Sequence, residues 1–208
     1  YMGTVAREIM INTCEALCGM RECSEKTKRE LAILMDDERI HEVKENTPIT
    51  DIAGFTVTPY SVDHSAYDAH MYLIESPDDK GKKVILHTGD YRGHGFRGKD
   101  GNTMLKVIKH YIHSNGRKVD ILITEGTMMS RKCEKVMTED DLEREAEKVL
   151  SEYKYAYLIC SSTNFDSLAA FYQAARKNGK YMYTYNDYYL QQIKTFSKYA
   201  GKHTPLYN

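Results

Sequence analysis

The chain has 208 residues, of which 41% are hydrophobic and 28% charged, with a formal net charge of −1. These proportions belong to a folded globular protein and exclude a disordered tail or a polycation, and the length suffices for one large domain or two small ones. No apolar run approaches the roughly 18 residues of a membrane span, and no basic stretch followed by an apolar core marks a secretory leader. The reading is therefore a cytoplasmic protein with no membrane partner.

Charge is unevenly spread. Lys80–Lys132 carries twelve Lys and Arg against four acids, whereas Glu134–Glu152 carries eight acids against three basic residues. A basic stretch beside an acidic one fits either a polyanion-binding face or solvated surface. The five cysteines, Cys14, Cys18, Cys23, Cys133 and Cys160, are odd in number and form no Cys-x-x-Cys pair. That argues against a disulfide scaffold or a zinc finger and for reduced thiols, with Cys160 a small core residue.

In chain order, apolar residues at helical spacing predict a helix over 5–17 with Gly19 as its stop, then a more charged helix over 26–35. Phe55–Tyr60 alternates as a half-buried strand does. Met71–Glu75 and Val84–Leu86 are short strand-like runs on either side of a turn-rich segment, so an antiparallel meander is expected. Asn102 is a candidate cap for a helix running to Asn115, with Leu105, Ile108 and Ile112 on one face and Gly116 as its stop. Val119–Thr124 reads as a buried strand. Thr138 opens a helix with acids in its first turn, where the helix dipole favours them. Residues 155–160 then read as a strand, 164–177 as a helix, 181–184 as a strand and 187–199 as a helix. That alternation predicts a parallel α/β half with right-handed crossovers, following an antiparallel β-rich half.

The most informative residues are Val62-Asp63-His64-Ser65-Ala66-Tyr67-Asp68-Ala69 and His87-Thr88-Gly89-Asp90-Tyr91-Arg92-Gly93-His94. Each follows a predicted strand. His nitrogen and Asp oxygen are donors that a zinc ion accepts. Beyond spacing, these strings resemble the third and fourth metal-binding motifs of metallo-β-lactamase-fold hydrolases. Ile123-Thr124-Glu125-Gly126-Thr127 resembles the acidic motif that opens the β-CASP subgroup, which includes RNase J. Ser161-Ser162-Thr163-Asn164-Phe165-Asp166 resembles the start of the β-CASP domain itself. The resemblance runs through most of residues 50–190.

The resemblance implies an α/β protein in two parts: residues 1–135 as the later part of a four-layered αββα domain, and 136–208 as the beginning of a β-CASP domain. It implies two zinc ions in the whole protein, with His64 a ligand of one, Asp90 bridging both, and a shared hydroxide attacking an RNA phosphodiester in line. Glu125 would orient ligands or assist proton transfer, making Asp90 and Glu125 the catalytic pair. Arg92, His94, Ser161, Ser162 and Asn164 would hold phosphate, and the basic stretch would follow the RNA backbone. Two departures stand out. The family's His-x-His-x-Asp-His signature is absent, and Ser167 occupies a place where the family carries Arg. The chain, which starts at Tyr1, therefore reads as an internal piece that by itself binds zinc weakly and is inactive. A neighbouring chain or second copy would cover the incomplete sandwich face. Two rival readings are a hydrolase of small esters or thioesters and a non-catalytic β-CASP scaffold that binds RNA or protein.

Other candidates have plainer readings. His110 and His113 are read as solvent-facing, and His70 and His87 as structural. The tyrosines of 181–199 are read as core and surface residues rather than base-stacking platforms.

Overall fold

A computed structural model describes residues 1–20, 22–77, 81–100, 103–130 and 136–199. Its helices and mixed five-stranded sheet place the chain in the α/β class. The chain divides into two compact units: residues 43–64 with 68–136, and residues 1–42 with 65–67 and 137–208.

The first unit is built on the sheet β1 (Ile49–Ile52), β2 (Phe55–Ser61), β3 (His70–Glu75), β4 (Val84–His87) and β5 (Ile121–Ile123), in that spatial order. The expected meander is present, since β2 and β3 pair antiparallel from Thr56 opposite Glu75 to Ser61 opposite His70, and β3 pairs antiparallel with β4. β5 then joins β4 in parallel. Between them runs helix α3 (Thr103–Asn115), the crossover that a parallel pair requires. Met71 and Leu73, two apart on β3, and Val84 and Leu86, two apart on β4, point to one face, where Val62, Val107 and Tyr111 close the core. The helix turns Met104, Val107, Ile108 and Tyr111 to the sheet. Leu105 and Ile112, expected on that face, are exposed instead. Spacings of three and four generate more than one possible stripe on this helix, and the one containing Tyr111 wins because its hydroxyl also reaches Glu75 Oε1, at 2.8 Å. Asn102, the expected cap, lies outside the described residues.

β5 is less buried than its apolar run predicts. Ile121, Leu122 and Ile123 are each about half exposed, because among the described residues the strand lies at the sheet edge, paired with β4 alone. An unbroken apolar run reads the same for a central strand as for an edge one.

The second unit is helical. It comprises α1 (Thr4–Met20), α2 (Glu25–Leu34), α4 (Glu139–Glu152), α5 (Phe165–Lys177) and α6 (Asp187–Tyr199). Phe165 and Phe196 stack at 4.5 Å, with Leu168 beside them and the Tyr67 ring edge-on to Phe196. α1 packs along α6 through side-chain amides: Asn12 Nδ2 donates to Thr195 Oγ1 at 2.9 Å, and Gln192 Nε2 donates to the Ile9 carbonyl at 3.2 Å. Glu8 takes Lys198 and the Tyr199 hydroxyl at the end of the same seam. α4 lies against α5, tied by Lys177 to Glu143 and Glu147.

Residues 155–160 and 181–184 form no strands; Tyr157, Ile159 and Tyr181 are almost wholly exposed. A strand needs a partner for its backbone groups, and no described strand lies in this unit to supply one. Where a parallel α/β arrangement is expected, the described residues 136–199 form helices joined by segments without regular structure. Cys18 and Cys23, read as free thiols, form a disulfide between the end of α1 and the approach to α2. Cys14 and Cys160 are free, and Cys133 lies outside the described residues.

Candidate functional site

Strand directions bring the motif residues to one end of the sheet. β2 and β4 both run antiparallel to β3, so they share a direction, and β5 runs parallel to β4. The segments leaving β2, β4 and β5 therefore emerge at the same end. They carry Asp63-His64, Gly89-Asp90-Tyr91-Arg92 and Thr124-Glu125, respectively. A sheet delivers side chains from distant parts of a sequence to a common edge in this way.

Hydrogen bonds lace the three segments together. Thr88, fully buried, donates its N–H to the Ile123 carbonyl at 2.9 Å, with its Oγ1 3.4 Å from Thr124 Oγ1. The Arg92 N–H donates to the Asp63 carbonyl at 2.7 Å. Gly89 turns the chain between Thr88 and Asp90 at φ +57°, where a Cβ would press to 3.1 Å of the His70 carbonyl oxygen. Asp90 stands exposed just beyond that turn, while His64, Arg92 and His94 are half-buried.

Glu125, on the third segment, meets the second through the Tyr91 N–H. Its carboxyl is held below the usual range, first by the Thr127 hydroxyl and the Thr127 N–H, against desolvation, and then by the charge of His64 and the Tyr91 N–H. The Thr127 N–H lies 3.0 Å from Glu125 Oε2. A carboxylate kept ionised beside an imidazole can accept a proton, orient the ring or repel a second anion.

Ser161, Ser162 and Asn164 belong to the helical unit, where local roles occupy them. Asn164 caps α5: its Oδ1 faces the Ser167 N–H at 3.5 Å and its Nδ2 donates to Ser167 Oγ at 2.9 Å. Ser161 Oγ lies 3.1 Å from Thr163 Oγ1, and Ser162 shares a hydrogen bond with the Tyr188 hydroxyl. Ser167, at the place where the resemblance has Arg, is buried and donates to Glu139 Oε2 at 3.0 Å.

The residues present do not fit a zinc centre on their own. A catalytic zinc takes about three protein ligands, and among the described residues no three His, Cys, Asp or Glu side chains stand together as a metal-holding group. His70 and His87 have local partners: His70 Nδ1 meets the Asp68 carbonyl at 2.8 Å, and His87 Nδ1 accepts from the Gly89 N–H at 3.2 Å. His110 and His113 are exposed on α3. No described helix is long and apolar enough to cross a membrane.

Two residues at this edge escape a motif reading. Asp63 is 5% exposed, and Thr88 is fully buried; both tie one segment to another. A buried Asp immediately before a candidate ligand was the available signal for the first, and Thr88 gave none.

No family model matches the chain, and no curated protein does. Among solved structures it is similar to a protein of unknown function from Enterococcus faecalis V583, with a TM-score of 0.57 at 19% identity over 83% of this chain. The likeness is one of fold, and the chain spans 38% of that protein's length.

Proposed function

We propose that this chain is part of a metallo-β-lactamase-fold hydrolase of the β-CASP, RNase J-like kind that cleaves RNA phosphodiesters. The observation that carries the reading is the delivery of His64, Asp90 and Glu125 to one sheet end by β2, β4 and β5. These residues sit in the motifs whose order resembles the family's. His64 and Asp90 are the donors this chain would contribute to zinc. Two donors are too few for a metal centre, so no chemical step is assigned to a metal. Glu125, held ionised beside His64, would keep the imidazole oriented. Arg92 and His94 leave the same sheet end and carry donors suited to phosphate oxygens. The Lys and Arg of 80–132 support a polyanionic substrate.

The test is cleavage of 5′-monophosphorylated RNA by the longest natural form of the protein, with zinc and with a chelator. Zinc-dependent cleavage that Asp90→Ala abolishes is the expected result. RNA binding without cleavage would favour the scaffold reading, and hydrolysis of a thioester but not RNA would favour the small-substrate one. The 208-residue chain alone is expected to bind zinc weakly and leave RNA intact. Tight zinc binding with activity in that chain would overturn the division of ligands.

A further inference from the structure

Asp63 lies within a motif-like string without a role of its own, yet the turn after β4 is built around it. Its Oδ2 accepts the Gly95 N–H at 2.8 Å in a buried hydrogen bond, its Oδ1 faces Arg92 Nε at 3.4 Å, and its carbonyl accepts the Arg92 N–H at 2.7 Å. Both side chains of the ion pair are withdrawn from solvent, at 4% exposure for Asp63 and 12% for Arg92. Two of the three glycines of Arg92-Gly93-His94-Gly95-Phe96-Arg97-Gly98 follow from this carboxylate, Gly95 and Gly98. A Cβ at Gly95 would collide with Asp63 Oδ1 and lie 2.5 Å from Arg92 Nη2. A Cβ at Gly98 would lie 2.7 Å from Asp63 Oδ2 and 2.5 Å from the Gly93 carbonyl carbon. Neither glycine has a positive φ, so the turn needs them for space rather than for backbone conformation.

We infer that Asp63 is a positioning residue whose buried carboxylate gathers the turn 91–98 and fixes where Arg92 and His94 stand beside His64. The physical case is that a buried carboxylate must be neutralised and hydrogen-bonded, and here the groups doing so belong to the turn itself. Displacing the turn would strip the carboxylate of both the guanidinium and the Gly95 amide, so one arrangement is strongly preferred. As a phosphate-holding device the turn rests on the proposed function; as a clamp it does not.

The experiment uses the 208-residue chain, as wild type, Asp63→Asn, Asp63→Ala and Gly95→Ala. Amide hydrogen exchange is read at Gly95 and through 91–98, with β3 and β4 amides as the control. Asp63→Ala is expected to raise exchange at Gly95 by at least tenfold while Leu73 and Leu86 keep their protection. Asp63→Asn, which retains an acceptor for the Gly95 N–H, should restore part of it. Gly95→Ala, which crowds the carboxylate without removing its charge, should free the turn as well, and serves if Asp63→Ala fails to fold. Unchanged exchange at Gly95, or equal loss of protection in β3 and β4 in all three variants, would overturn the inference.

A second readout separates the clamp from the function. Inorganic phosphate is titrated while the His94 imidazole resonances are followed. A wild-type shift that weakens at least tenfold in Asp63→Ala supports both. A freed turn with no wild-type response to phosphate leaves the clamp standing and counts against phosphate binding. An equal response in wild type and Asp63→Ala counts against the clamp alone.

Discussion

In the sheet unit Met71, Val84 and Leu86 are fully buried, while Asp63 and Thr88 are gathered where the strands end. In the helical unit polar groups are part of the packing itself: Asn12, Gln192 and Thr195 lie buried between α1 and α6, and Glu139 is buried under Ser167. Among the described residues no buried side-chain nitrogen or oxygen lacks a hydrogen-bond partner, so both arrangements are satisfied. The difference lies in what each does. Polar groups spread along a helix seam fix which face meets which, whereas Asp63 and Thr88 at one sheet end tie loops together.

The contrast breaks most visibly in the sheet interior. Leu86→Ala removes a side chain with no exposure and is expected to cost about 3 kcal/mol in transfer and cavity terms together. Urea unfolding should show the loss, and hydrogen exchange should place it in β2–β4 while α1 and α6 stay protected. If both units lose protection equally, they are not separate in stability and the comparison fails.

In the helical unit Asn12→Ala leaves Gln192 and Thr195 without a shared partner in a buried seam, at a cost of about 1–3 kcal/mol. Exchange should rise in α1 and α6 and not in β3. A near-neutral result would mean that water replaces the amide, and that the seam contributes little to the choice of faces.

The two units also differ in how much of each was legible in the sequence. The meander could be read because Phe55–Tyr60 and Met71–Glu75 alternate and pair with neighbours in sequence, so local pattern and tertiary partner agree. The common destination of His64, Asp90 and Glu125 came through resemblance; spacing alone said only that each follows a strand. Residues 155–160 and 181–184 show the limit. Their composition suits strands, but a strand is completed by a partner, and periodicity carries no information about whether one exists. Asp63 shows in the sequence only as an Asp before a candidate ligand; what it does depends on Gly95 and Arg92, some thirty residues away.

Tyr111 is a buried polar group of the sheet unit that lies away from the strand ends. Burial first, and then its hydrogen bond to Glu75, push its hydroxyl up to about 12. The folded value lies above the ordinary 10.0, so its contribution is complete below pH 10 and is lost as pH rises towards 12. Tyr111→Phe should cost about 1 kcal/mol at neutral pH. It should also flatten the decline of stability between those values, as read by unfolding at a series of alkaline pH values. A decline of unchanged size would assign it to other groups.

The smallest effect is expected at the start of α4, where polar groups are exposed and the helical unit's tight polar packing does not apply. Thr138 and Asp141 form a reciprocal cap: the Asp141 N–H donates to Thr138 Oγ1, and Asp141 Oδ2 accepts the Thr138 N–H, both at 3.1 Å. The Thr138 backbone N–H, the Thr138 hydroxyl and then Arg144 hold the Asp141 carboxyl down to about 2. Its folded value lies below the ordinary 3.8, so protons bind the unfolded chain more readily. The stabilisation is therefore present above about pH 4 and lost as pH falls towards 2. Thr138→Ala should cost about 1 kcal/mol, read by unfolding at neutral pH. Asp141→Asn should remove the acid-dependent part, and a carboxyl resonance titration of the wild type should give the low value directly. Since the cap's hydrogen bonds are exposed, the loss should fall on α4 alone and leave the buried contact of the adjoining Glu139 with Ser167 intact. Loosening that reaches α5 would show that the cap and the buried contact act as one unit, and that exposure is a poor guide to how polar groups share work in the helical half.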